Sequence, residues 1–362
     1  MRNSITFFLG MGILFCAFGA ADSIQGRYYS DNTRELFYLP RSASVAGADY
    51  VFAHDGTPQV NPANLAFDSL SEISLSYASY YQNTFSTSIL SYAGSIDAVS
   101  GFGISMSYLY VPDIRGTQNL STEADGTPIY DDRKFQYSTY SDIFFHAGYG
   151  RRLITSRKLE LTAGVGINAQ RQRLAFNEYR GYSMGLDGGL AVDFPGPGVR
   201  VSLACDNITT QYTRWSADYS EIAYPHLRLG AGWQKELPYI YGRVQIQYKT
   251  LDLLGNEGAD AIQFSTLLTT DEAGSSNPNQ LSGEKPAIAG VNGNPVLLAL
   301  FGSLGIEYVI KDVFSIRVGG NMENKLAFGC GVNLLRRRLC FDASYAMHEL
   351  APTYQIGVTY RR

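Results

Sequence analysis

From about Glu72 onward, apolar residues alternate with small or polar ones, segment after segment. In 181–194, Tyr182, Met184, Leu186, Leu190 and Val192 fall on one face of an extended chain. Ser183, Gly185, Asp187, Gly189 and Asp193 fall on the other. Side chains on a strand point alternately to opposite sides, so this pattern predicts strands with two unlike faces. Nothing in the chain reads as long helices able to cover the apolar faces. An uncovered apolar sheet face aggregates in water but is stable in lipid. The alternation therefore predicts an all-β fold, a transmembrane antiparallel β-barrel.

Fourteen strand candidates follow: 71–81, 85–94, 101–111, 140–151, 157–170, 181–194, 198–206, 226–235, 240–250, 299–310, 313–321, 325–334, 339–348 and 353–361. In 157–170, Leu159, Leu161, Ala163, Val165 and Ile167 oppose Glu160, Thr162, Gly164, Gly166 and Asn168. The segment 85–94 alternates weakly, and 140–151 does not declare which face is which. An even strand count suits a closed single-chain barrel. With the chain starting at the periplasmic end, the long stretches 112–139, 171–180, 207–225 and 251–298 all face outward. The short ones at 154–156, 195–197, 311–312 and 335–338 all face the periplasm. Outer-membrane barrels sort their connections in this way. A soluble β-sandwich or propeller, the rival architecture, predicts neither this sorting nor the glycines on the inward face.

Composition agrees. Tyr 26, Phe 19 and Gly 37 accompany only 17% charged residues, and mean hydropathy is −0.11. A barrel averages its lipid face with a polar lumen. A net charge of −4 leaves no basic footprint for nucleic acid. Arg2, the apolar run 5–18 and small residues at Gly19, Ala20 and Ala21 predict a signal peptide over 1–21. The remaining cysteines, Cys205, Cys330 and Cys340, are odd in number, and the turn near 335–338 sets Cys340 opposite Asn333. No disulfide is expected. Tyr80, Tyr108, Tyr110, Tyr149, Tyr182, Tyr239, Tyr308 and Tyr360 fall near strand ends, as interfacial girdles would.

Residues 22–66 do not alternate and read as a compact, turn-rich segment before a barrel over 67–362. Here Ser42-Ala-Ser-Val-Ala-Gly47, Asp55 and Asn61-Pro-Ala-Asn-Leu65 precede Ile73-Ser-Leu-Ser-Tyr77. With the closing Phe341-Asp-Ala-Ser-Tyr345 and Thr353-Tyr-Gln-Ile-Gly-Val-Thr-Tyr360, this resembles the FadL-like outer-membrane proteins, and most of all their PorV/PorQ branch and related uncharacterised barrels. The resemblance implies a fourteen-stranded barrel with an N-terminal hatch in the lumen, to which Asn61, Pro62, Ala63 and Asn64 would belong. Small inward residues such as Gly164, Gly189 and Gly305 would let a hatch backbone approach, or would ease strand curvature.

No sequence motif points to catalysis, a metal or another cofactor; the four histidines are scattered. Inward polar candidates are Glu160, Asp187, Arg228, Arg243, Lys249, Glu307, Arg317 and Lys325. Both signs occur, which suits pairing of hatch with wall better than an ion-selective path. Arg336, Arg337 and Arg338 share one turn, which reads as a solvated turn, with lipid phosphate or a partner as the alternative it could meet. Two functions are implied, the first preferred on the closer likeness and the second its alternative. The PorV likeness implies a component of protein secretion or surface attachment, with partner proteins. The wider FadL likeness implies transport of small hydrophobic compounds across the outer membrane of a Gram-negative cell.

Overall fold

A computed structural model describes residues 27–28, 32–52, 60–67, 71–116, 134–174, 179–216, 220–254, 299–300, 302–321, 326–348 and 350–362. The expected signal peptide, Asp55 and Lys325 lie outside them. The wall consists of β1 (Glu72–Tyr80), β2 (Phe85–Ser95), β3 (Ser100–Gly116), β4 (Gln136–Thr155), β5 (Glu160–Leu174), β6 (Tyr179–Phe194) and β7 (Val199–Asp206). It continues through β8 (His226–Leu237), β9 (Gly242–Lys249), β10 (Ser303–Ile310), β11 (Phe314–Gly320), β12 (Ala327–Leu334), β13 (Leu339–Ala346) and β14 (Thr353–Arg361). Each strand pairs antiparallel with the next, and β14 returns to β1, from Tyr354 opposite Ser79 to Arg361 opposite Glu72. This closed 14-strand barrel has no free edge.

All fourteen expected strands are present, with shifted ends. The alternation at 157–159 belongs to a turn, closed by Ser156 N donating to Leu159 O at 3.0 Å. Strands β3 and β4 run past their expected ends because a bulge between Val111 and Ile114 restarts the pairing out of phase. Asp113 sits there at φ 54°. The expected loop 207–225 holds its own hairpin, Gln211–Trp215 with Ser220–Ala223, which extends β6 beyond the barrel.

The faces are the inverse of those of a water-soluble protein. Val165 and Met184 are each 63% exposed, and Ile73, Leu75, Phe328 and Ile356 also point outward uncovered. Ser105, His146, Asn168 and Gln245 are completely buried. Only lipid gives such a surface its missing cover, so the barrel is transmembrane. Tyr80 corrects the girdle assignment: it faces inward, buried, and its hydroxyl donates to Leu36 O at 2.7 Å. Tyr108, Tyr110, Tyr149, Tyr182, Tyr239 and Tyr360 are exposed.

Cys340 lies opposite Asn333, Cys330 opposite Ala343, and none of the three described cysteines is in a disulfide. Cys330 is exposed on the outer wall and Cys340 is buried in the lumen. A membrane-soluble maleimide is therefore expected to label Cys330 in the folded protein and leave Cys340 untouched. Mass spectrometry of the digested protein reads the two sites separately, and labelling of Cys340 before unfolding would contradict this assignment of faces.

Inside the wall lie a 3-10 helix (Asn32–Leu36), the short helix α1 (Pro40–Ser44) and a second 3-10 helix (Pro62–Phe67). Arg27–Tyr28 pairs parallel with Glu221–Ile222 at the long-loop end, so the chain threads inward from that end. It leaves at the short-turn end, where Ser71 and Arg362 exchange backbone hydrogen bonds of 3.3 and 2.8 Å.

Candidate functional site in the lumen

The wall makes room for this hatch with glycine. Gly101, Gly150, Gly164 and Gly189 stand side by side on β3, β4, β5 and β6. The second 3-10 helix lies across that row. A Cβ on Gly150 would sit 2.6 Å from Pro62 O, and one on Gly164 would strike the Pro62–Ala63 peptide. Across the lumen Gly305 and Gly319 are paired on β10 and β11, followed by Ala327 and Ala346. A Cβ on Gly305 would approach Val45 Cβ to 2.6 Å. Close backbone approach accounts for the glycines in both rows. Gly166 is different: its neighbour is the His146 ring, at 2.9 Å.

The four hatch-motif residues are all buried. Asn61 Oδ1 accepts from Ala63 N at 3.0 Å and so caps the helix that Pro62 opens. Asn64 Nδ2 donates to Tyr50 O at 3.0 Å, tying the two halves of the hatch together.

Charge fixes the hatch at two further points. Arg34 lays its guanidinium fork on Asp187, with bonds of 3.1 and 3.0 Å, and reaches Asp206 at 3.2 Å. Asp187 is completed by His146 Nε2 at 2.6 Å, Asn168 Nδ2 at 3.1 Å and the Asn207 backbone N–H at 2.8 Å. Arg228 takes the other side of Asp206 at 2.5 Å. Burial by itself favours a neutral Arg34. The Asp187 and Asp206 carboxylates outweigh it and hold the guanidinium pKa above its ordinary value. The second point is Arg41, 2.6 Å from Glu307, whose other oxygen meets Arg317 at 2.9 Å. Arg317 also reaches Asp342 at 2.5 Å.

The remaining polar candidates are spread over the wall. Lys249 Nζ donates to Tyr38 in the hatch at 3.1 Å. Glu160 is half-buried at the start of β5, opposite Asp193. Arg243 is half-buried and faces a polar cavity of about 90 Å³ near the short turns, with Glu307 and Arg317 in its lining. Lys311 is exposed in the turn between β10 and β11.

Nearer the long loops one sector of the lumen, along β2, β3 and β4, is apolar. Phe37 and Leu39 of the hatch pack on Ile89, Leu109 and Phe144, and the Phe37 and Phe144 rings stack at 5.8 Å. The pattern hid this cluster because Phe144 points in while Phe145 points out, and because Ile89 places an apolar residue on the inner face of β2. These are the two segments whose alternation was ambiguous or weak. Arg34 also escaped the pattern, because it lies where there is no strand period. His146, whose scattered position suits a polar filler facing the lumen, is found there, fully buried.

No sequence-family model and no curated protein sequence matches the chain. The fold does match solved structures. One is a TodX deltaS2S3 mutant monoaromatic hydrocarbon channel, at 12% identity and a TM-score of 0.50, covering 90% of this chain and 98% of that one. Another is the Pseudomonas putida toluene transporter TodX, at 12% identity, TM-score 0.44, covering 93% and 94%. A third is a Pseudomonas aeruginosa FadL homologue, at 10% identity, TM-score 0.42, covering 89% and 98%.

Proposed function

We propose that this barrel admits small hydrophobic compounds across an outer membrane, with residues 22–66 as a displaceable plug. The observation that carries this reading is the apolar cluster of Phe37, Leu39, Ile89, Leu109 and Phe144, which unlike the buried clusters around Val51 and Ala46 is built largely from the wall strands β2, β3 and β4. It lies toward the long loops, where a compound from outside arrives first. The cavity of about 90 Å³ near the short turns is lined by charged side chains and does not suit an apolar compound. In the apolar cluster, Phe37 and Leu39 of the hatch fill the place a compound would take, so binding there replaces hatch contacts. Sharing a fold with a hydrocarbon channel supports this direction. Secretion or surface attachment gains no such support. The reading concerns passage, not catalysis.

The test is binding of an apolar fluorescent probe to detergent-purified protein, alongside mass spectrometry of everything that travels with it. Saturable probe binding is expected, weakened about tenfold or more by Phe144→Asp, which removes the ring from the cluster and puts a carboxylate in its place. Probe binding that Phe144→Asp leaves unchanged sinks the proposal. So do stoichiometric protein partners with no apolar passenger.

A further inference from the structure

The short-turn end of the barrel carries a group of cations that the lumen does not use. Lys311 sits in the β10–β11 turn and Arg336, Arg337 and Arg338 in the β12–β13 turn, with Arg362 just past β14. Backbone and side-chain bonds hold these three places together. Asn333 N donates to Val313 O at 2.7 Å and Asn333 Nδ2 to Asp312 O at 3.0 Å, while Arg361 N donates to Arg338 O at 2.7 Å. Asp312, the acid within these two turns, is taken by Arg337. Lys311, Arg336, Arg338 and Arg362 are exposed, and Lys311 leans over the exposed ring of Tyr241 at 5.4 Å.

The same turns also expose apolar side chains. Leu335 is 69% exposed and Val313 50%, directly above the outward Phe314 and Leu334 of the lipid-facing wall. Cations above a continuous apolar strip match the layering of a lipid leaflet, phosphate above acyl chain.

We propose that the Lys311/Arg336/Arg338/Arg362 patch is a docking site for the headgroup of an anionic phospholipid in the leaflet at the short-turn end. Val313 and Leu335 would meet the first methylenes of that lipid's acyl chains. The charge complementarity and the continuity with the lipid-facing wall single out lipid over a protein partner. The site is independent of whether the lumen conducts.

Full-length protein is reconstituted in mixed phosphatidylcholine and phosphatidylglycerol vesicles and re-extracted in mild detergent. The lipid it retains is quantified by mass spectrometry. Wild type is expected to enrich phosphatidylglycerol several-fold over the bulk ratio. Lys311→Gln/Arg336→Gln/Arg338→Gln is expected to bring the retained lipid back to the bulk ratio. Heat-modifiable gel mobility confirms that the variant is folded. Arg157→Gln/Lys158→Gln, on a separate turn, is expected to keep the enrichment. Bulk composition around wild type overturns the site, as does enrichment surviving in the triple variant. Equal loss in both variants replaces it with a diffuse rim charge and overturns it as well.

Discussion

Arg34→Ala is expected to destabilise the folded barrel by about 3–5 kcal/mol, the range for removing one partner of a buried ion pair. Asp187 is completely buried and Asp206 nearly so. Both lose their hatch-borne counter-charge, and a carboxylate stranded away from water is costly. Asp187 keeps His146, Asn168 and the Asn207 N–H, which limits the loss. Arg34→Lys is expected to cost less, because a point charge recovers the attraction but not the two-pronged fit. The unfolding midpoint in detergent, read by the gel shift between folded and boiled forms, gives the order. Limited proteolysis between residues 27 and 67 then tells whether the hatch leaves the lumen. An Arg34→Ala barrel as stable as wild type, with a protected hatch, would refute the tether.

Gly164→Val is expected to prevent the second 3-10 helix from seating and to cost at least about 1–3 kcal/mol, the usual scale for overpacking. The obstacle is the Pro62–Ala63 peptide itself, not the end of a flexible side chain, so there is nothing to swing aside. Gly196→Val is the matched control. It adds the same atoms to a turn where nothing lies within 4 Å of the new Cβ, and a change within about 0.5 kcal/mol is expected. If both variants keep a protease-resistant hatch, the glycine row is there for curvature instead.

Particular segments show how far sequence carries. In β6 the in-and-out assignment of every residue from Tyr182 to Asp193 that alternation supplied is the one observed, because the Cβ direction reverses at each step of a strand. The opposition of Cys340 and Asn333 followed from turn length alone. Legibility stopped where a local event breaks phase, at the Val111/Ile114 bulge. It stopped too where the inner face stops being polar, at Ile89 and Phe144, because alternation is recognised by contrast.

The candidate site was the less legible part. The sequence marked Asp187, Arg228, Glu307 and Arg317 as inward but said nothing of Arg34 or Arg41, which lie in the segment without a period. Arg34 meets Asp187 across 153 residues, and Arg41 meets Glu307 across 266. By itself the sequence determined the strand number and the two faces, since each depends on local backbone geometry repeated fourteen times; the connection expected over 171–180 is instead strand as far as Leu174 and again from Tyr179. The tertiary structure decided which inward charges pair, which glycines face the hatch and where the lumen turns apolar. Those outcomes depend on the height at which the hatch crosses the lumen, and a period of two carries no information about height.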